Sequence, residues 1–541
     1  MPNLASTEPN LVHTIHASAQ SARRVRTTRY PSVASHALLA TARLQTARWD
    51  YATRHVEAEQ MRVLSRILRH TAGTHFGRTH GFASIRSYEQ FAARVPVADY
   101  DDFSPFIERM RAGESGLLVP EPVKYFGHSS GSSRQGRGKF LPITERQISQ
   151  QRLAGSETLA RYLVHARDAS FLSGFTLGLF PPTTMRKDGS VRITSNPALM
   201  VTRMPQISRP VFLPEDDVKQ MADYEAKLQV IAERYLDHQV HAITGTTCWF
   251  PLLIERVLEA AAARGRPARC VDEIWPELRV LIGGGVSAAP YLPMLRRLIG
   301  REITFVDSYN ATEGGIYAAS DHSGEDGLLM LPHRGTFFEL AELDSSARRP
   351  RRVPLWEASC GRDYSLVVTT LSGLYAYELG DIVRFTSVDP PRIEFAGRLS
   401  GCLSLTQELT THVEIERAVA YALESAGGRT VEFGAAADVG AAGAKSRYVL
   451  YIEFDESAAP RDLQAFAAAF DEGLCQQNRV YREHRAGAVA LISATVVRMP
   501  RGAARRFLEK TTARNVQGKF PRILDTARHA QLREHLSIHS D

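Results

Sequence analysis

Apolar residues recur at helical spacing over Glu57–His70 and again across Tyr88–Ala112, where Val95–Pro96 separates two helices. From Thr144 to Arg264 helical patterning predominates, and its last segment, Leu252–Arg264, is stopped by Gly265 and Pro267. The period then changes. Leu278–Ile282 and Ile303–Val306 are short apolar runs suited to buried strands, Tyr291–Ile299 is a helix between them, and Leu366–Thr370 begins another β segment. Strand and helix in alternation predict an α/β fold with a mainly parallel sheet. From about Gly401 the pattern is that of a smaller α+β unit: helix His412–Leu423, strand Arg447–Phe454, a helix near Leu463–Leu474 and strand Val489–Met499, with Ala435–Lys445 as a flexible loop. The expected division is an extension over residues 1–49, a large domain over 50–400 and a small domain over 401–541. The hinge is placed at Leu399–Gly401.

A chain of 541 residues with 44% hydrophobic content buries more than one domain's core. The net charge of +7 is modest, and basic runs such as Arg348–Arg352 alternate with acidic ones, so no nucleic-acid stripe forms. Five cysteines without short spacing exclude a zinc ribbon and a CxxC redox pair, and point to a reducing, cytoplasmic setting. No apolar run reaches the roughly 18 residues of a membrane-spanning helix, so neither a membrane nor a nucleic acid is expected as partner. Residues 1–49 carry six arginines and one acidic residue, Glu8, a composition read as a mobile tail.

The chemistry lies in three separated segments. Gly127–Lys139 (GHSSGSSRQGRGK) supplies the hydroxyls of Ser129, Ser130, Ser132 and Ser133, the close approach of Gly131 and Gly136, and the charge of Lys139, which is what a phosphate cradle requires. The stretch also matches GxSxG, but a nucleophile elbow needs a packed helix at once after the serine, and the polar run here cannot begin one. It nearly spells a Walker A loop, yet Arg137 stands where lysine is required. Tyr309–Gly315 (YNATEGG) places Glu313 in a loop beyond a strand, the usual address of functional residues in α/β sheets. Tyr377–Phe385 (YELGDIVRF) places Asp381 in a β-rich segment, where a carboxylate is either exposed or bonded, and a ribose offers it two hydroxyls. Gly283–Gly285 satisfies a dinucleotide fingerprint in form but comes midway through the chain; it reads as a tight turn against which an adenine or acyl group can lie. Trp249 and Phe250 are candidates either for an acyl pocket or for the core.

In this order the segments resemble the auxin-responsive acyl-acid amido synthetases, a branch of the adenylate-forming superfamily, and the chain is read as a bacterial-type member. The likeness spans about Gln60 to Ile523. It rests on His128-Ser-Ser-Gly-Ser-Ser with Lys139 and Pro142, on Tyr309 through Glu313, on Phe337-Phe338-Glu339 and on Leu366 through Tyr375. It continues through Leu379-Gly-Asp381, Gly397-Arg398, Leu403-Ser404-Leu405 and Gln517-Gly-Lys519-Phe-Pro-Arg522. The resemblance implies a large N-terminal domain that binds ATP and an acid, and a mobile C-terminal domain. It further implies that Ser129, Ser130 and Ser133 hold phosphates, that Tyr309, Thr312 and Glu313 belong to the nucleotide site with Glu313 on Mg²⁺, and that Asp381 binds the ribose. Arg398 would contact ribose or phosphate, and Lys519 would stabilise the adenylation transition state, where charge builds at the α-phosphate.

The implied reaction joins a carboxylic acid to an amine, an amino acid, by way of an acyl-adenylate. Two alternatives stand beside it: transfer of the acyl group to a thiol or hydroxyl, and a nucleotide-binding protein without turnover. Gln407-Glu408-Leu409 replaces the family's Gly-Glu-Lys and motivates the last of these. The acid, the acceptor and the oligomeric state are not legible.

Overall fold

The structure is a computed structural model and describes residues 26–28, 32–132, 138–285, 288, 291–343, 351–399, 401–403, 405, 410–438, 446–478, 481–482, 485, 491–511 and 519–537. Two sheets organise the N-terminal part. The first is fully parallel, with strands in the order Phe212–Leu213, Phe175–Leu179, Val240–Gly245, Val280–Ile282 and Thr304–Val306. Helices Tyr224–Tyr235 and Phe250–Ala263 cover it, burying Leu177, Ile231, Ile243, Phe250 and Leu281 in one cluster. The second has eight antiparallel strands and runs from Ser308–Ala311 at one edge to Arg352–Pro354 at the other.

The α/β class holds, and the helices over Val56–Thr71, Tyr88–Arg94, Tyr100–Arg111 and Phe250–Ala263 stand close to their expected places. The helix Tyr100–Arg111 begins in a capping box, with Asp99 Oδ1 accepting from the Asp101 and Asp102 amides. The region Thr144–Arg264 is mainly helical, as expected, but it also contributes three strands of the parallel sheet that the pattern does not show; these are short and largely buried, so they lack the alternation that identifies a strand. Two expectations need correction. The largest sheet is antiparallel rather than parallel. Ala435–Asp438 is not loop but the end of strand Thr430–Asp438, whose small residues fit beneath a packed segment; residues 439–445 lie outside the described residues.

The stretch Ser32–Arg54, expected largely as loose extension, is a helix. It packs along Glu145–Ala166, with Leu39, Ala42 and Trp49 buried. Trp49 is fully covered: its indole N–H donates to the Met330 carbonyl at 2.7 Å, and the Arg161 guanidinium lies 4.6 Å from its ring centre.

The C-terminal unit is a four-stranded sheet ordered Thr495–Met499, Arg447–Phe454, Thr430–Asp438 and Ile523–Leu524. Helices His412–Ala426 and Leu463–Gln477 pack on it around Ile415, Val419, Phe466 and Phe470. Among the described residues no helix is long and apolar enough to cross a membrane.

Trp49→Ala is expected to lower unfolding stability by about 3–5 kcal/mol in urea titration. A change below about 1 kcal/mol would show that the helix Ser32–Arg54 is not integral to the fold.

Candidate active site

The chain crosses from the parallel to the antiparallel sheet with Asp307 alone between strands Thr304–Val306 and Ser308–Ala311. That crossing brings the glycine turn and the second motif together. Gly283 N donates to the Val306 carbonyl at 2.8 Å, and Ser308 Oγ donates to the Gly283 carbonyl at 3.0 Å. The turn is glycine by necessity. A Cβ on Gly283 would lie 2.5 Å from Phe305 and Thr247, and one on Gly284 would lie 2.8 Å from Ser308 Oγ, while Gly285 has φ +77°.

The first motif is a hairpin rather than a strand–turn–helix elbow. Strand Tyr125–Ser132 pairs antiparallel with Gly138–Ile143, and Ser129 faces Lys139 in register. The backbone of Ser129, Ser130, Gly131 and Ser132 is therefore extended; their side chains, and Ser133 entirely, lie outside the described residues. The hairpin is held from outside: Tyr100 Oη accepts from Phe140 N at 3.0 Å, and the Arg111 guanidinium stacks 4.0 Å from the Phe140 ring centre while pairing with Asp188 at 2.5 Å. Lys139 turns its ammonium toward two rings, 5.7 Å from Tyr100 and 5.9 Å from Tyr377, and donates to Tyr377 Oη at 3.3 Å.

Glu313 and Asp381, separated by most of a sheet in sequence, converge here. Asp381 is buried at 4% exposure and its Oδ2 accepts from Tyr309 Oη at 2.7 Å; the Tyr309 ring in turn packs 5.7 Å from Phe395 and 5.6 Å from Tyr317. Glu313, also buried, follows the turn at Thr312, whose methyl fills the space in front of Gly127 and so ties the second motif to the hairpin. Tyr317 is held far above its ordinary pKa, first by burial and then by the charges of Glu313 and Asp381. Arg398 stands directly opposite Asp381 in the pairing of strands Tyr377–Val388 and Pro391–Arg398, one residue before the expected hinge; its side chain lies outside the described residues.

Lys519 arrives from the C-terminal unit. Its Nζ donates to the Gly285 carbonyl at 2.5 Å, and a side chain at Gly285 would crowd that ammonium. Lys139, Gly283 to Gly285, Thr312, Glu313, Asp381 and Lys519 all line one cleft of about 3330 Å³. Trp249 also lines it, whereas Phe250 is wholly core. Further along, the cleft wall becomes apolar, with Phe180 stacked on Phe212 at 6.1 Å and Met200 nearby.

Sequence reasoning singled out Tyr309 but missed two other tyrosines. Tyr100 and Tyr377 frame Lys139 but are ordinary core aromatics by pattern. Residues 407–409, where the family lysine is replaced, lie outside the described residues.

The chain matches three consecutive descriptions: GH3 family N-terminal domain over residues 45–227, GH3 family central domain over 328–398 and GH3 family C-terminal domain over 413–528. Together these cover well over half of it. The chain belongs to the GH3 family. It is similar to a probable indole-3-acetic acid-amido synthetase of Oryza sativa subsp. japonica, 26% identical over 524 residues, covering 82% of this chain and 84% of the relative. Among solved structures it is similar to a GH3.15 acyl acid amido synthetase with a TM-score of 0.72 at 20% identity, over 91% of this chain and 95% of the other. A 2-hydroxyisobutyryl-CoA ligase in the postadenylation state shares the fold at a TM-score of 0.55 and 16% identity, over 88% of this chain and 91% of the other.

At the crossing, burial pushes the Asp307 carboxyl up to about 6, against the opposing effect of the Ser308 amide that donates to it. A raised acid binds its proton more tightly folded than unfolded, so stability falls as pH rises from near 4 through 6. Unfolding measured from pH 4 to 7 should show wild type losing on the order of 1–2 kcal/mol relative to Asp307→Asn, after allowance for partial exposure. Parallel pH profiles would contradict this.

Proposed function

We propose that this GH3 family member adenylates a carboxylic acid with ATP and passes the acyl group to an amine, an amino acid, to form an amide. The observation that carries the reading is Lys519 of the C-terminal unit docked on the glycine turn of a cleft that Glu313 and Asp381 also line. In the first step a carboxylate oxygen bonds to the α-phosphorus of ATP and the bond to pyrophosphate breaks. In the second, the amine nitrogen bonds to the acyl carbon, AMP leaves with the former carboxylate oxygen, and the amine gives up a proton.

Placement supports a role for each residue. Asp381, oriented by Tyr309, accepts hydrogen bonds from the ribose hydroxyls. Lys519 meets the charge that builds at the α-phosphate, and Lys139 with the backbone of the Ser129–Ser133 segment holds the outer phosphates. Arg398, opposite Asp381, serves the ribose or a phosphate.

The donor set also suits Mg²⁺. Among the described residues no cluster of three His, Cys, Asp or Glu side chains gathers to bind a metal alone, and a single carboxylate such as Glu313 is what Mg²⁺ takes from a protein when phosphates and water complete its shell. When bound, it would neutralise phosphate charge.

The apolar wall of Phe180, Phe212, Trp249 and Met200 faces the acid. Because the rice relative is named for indole-3-acetic acid, indolyl acids belong in a substrate panel. Free thiols at Cys270, Cys360 and Cys475 support a cytoplasmic setting. A thiol acceptor is the second reading, favoured by the fold shared with a CoA ligase.

Acid-dependent ATP–pyrophosphate exchange over aryl, indolyl and fatty acids is expected for wild type. Lys519→Ala should lower its kcat by about 10²–10³-fold, and Asp381→Ala should raise the KM for ATP by about 10–100-fold. Exchange undiminished in both variants would refute this site. Product formation with coenzyme A but not with amino acids would favour the second reading.

A further inference from the structure

Lys519 and Arg522 sit three residues apart on a segment fixed tightly to the C-terminal sheet. Gly434 makes the fixing possible, since a Cβ there would lie 2.3 Å from the Pro521 carbonyl and 2.9 Å from the Phe520 ring. Phe520 is buried beside Phe507, and the Arg522 carbonyl accepts from Ala435 N at 2.8 Å. The Arg522 guanidinium is anchored within the same unit. It bonds Glu432, reaches Glu416 at 3.3 Å, donates to the Phe433 carbonyl at 2.8 Å and lies 4.1 Å from the Phe433 ring centre.

One of its donors leaves the unit. Arg522 Nη2 donates to Tyr291 Oη at 2.9 Å. Tyr291 belongs to the N-terminal part, six residues beyond Gly285, at the start of helix Leu292–Ile299. Its own amide donates to the Ala288 carbonyl at 2.9 Å, which fixes the ring's origin relative to the glycine turn. A short stretch of one unit thus meets a short stretch of the other at two points: Lys519 on Gly285 and Arg522 on Tyr291.

We propose that Tyr291 and Arg522 form the latch that seats the C-terminal unit with Lys519 at the glycine turn, making Tyr291 a positioning residue for acid adenylation; this rests on the function proposed above. Lys519 is exposed and reaches the turn on a long, flexible stem, which makes it a weak determinant of how two large units sit. The guanidinium is rigid and pre-oriented, so its bond to Tyr291 exists in one orientation and is lost when the unit turns. Amide formation needs an amine to reach the acyl carbon, for which Lys519 has no evident use. Loosening the latch therefore weakens the first step alone.

Tyr291→Phe removes the acceptor and keeps the ring, whereas substitutions at Arg522 would strand buried Glu416 and half-buried Glu432. In ligand-free protein, brief acetylation with acetic anhydride, read peptide by peptide in a mass spectrometer, should modify Lys519 about threefold or more faster in the variant, with Lys139 unchanged. With the acid selected by the exchange panel, kcat for pyrophosphate exchange should fall about tenfold at an unchanged KM for ATP. Transfer of the acyl group from preformed acyl-adenylate to an amino acid should not slow. Lys519 labelled at the wild-type rate, or exchange and transfer reduced equally, would overturn the latch. Faster Lys519 labelling in the variant, without exchange in wild type for any acid, would support the latch and count against the adenylation reading.

Discussion

Between Val306 and Ser308 the chain leaves a parallel sheet and enters an antiparallel one with a single residue to spare, and the site is a consequence of that economy. A parallel strand ends where its neighbours' loops gather, so the Gly283–Gly285 turn and the strand and turn over Tyr309–Glu313 are forced side by side. The antiparallel sheet then curls back to bring Asp381, seventy-two residues later, under Tyr309. No long loop intervenes at the crossing, which is why one backbone contact, Gly283 N to the Val306 carbonyl, and one side-chain contact, Ser308 Oγ to the Gly283 carbonyl, suffice to fix the relation. The hairpin is the third wall, locked by the Thr312 methyl against Gly127 and by Tyr100 and Arg111 from behind.

The remaining cation comes from a separate unit, and the electrostatics explain the arrangement. A lysine fixed permanently beside the α-phosphate position would favour the first step but occupy space that an incoming amine requires. Supplying it on the C-terminal unit makes the charge conditional on orientation, and Arg398, opposite Asp381 in the strand register, stands one residue before the expected hinge. Beyond the turn the cleft presents the rings of Phe180 and Phe212, with the Lys219 ammonium 5.9 Å from the Phe212 ring centre and Lys227 donating to the Phe180 carbonyl.

Much of this was legible in the sequence, and what was not has physical reasons. Long amphipathic segments such as Val56–Thr71 declare themselves because one face is wet. The strands Phe175–Leu179 and Val240–Gly245 do not, because both faces are covered and each is short. Trp49 lay in a stretch whose arginines and small residues suggested a tail, and no local pattern marks one indole that a distant carbonyl will accept from. For the candidate site, glycines and carboxylates in the three motifs pointed to elements that line one cleft, since tight turns and buried charges are costly without a purpose. Tyr291 and Tyr377 contribute through contacts made across the fold, over separations of up to 238 residues, and spacing along the chain carries no trace of those.

The account's central claim is an acyl-adenylate intermediate, and the most direct test follows one oxygen. With an acid selected by the exchange panel, carried in ¹⁸O-carboxylate form, and with ATP and an amino acid, the account predicts one ¹⁸O in the phosphate of AMP and none in pyrophosphate. Formation of ADP with ¹⁸O in inorganic phosphate, or of AMP free of the label while amide accumulates, would contradict it.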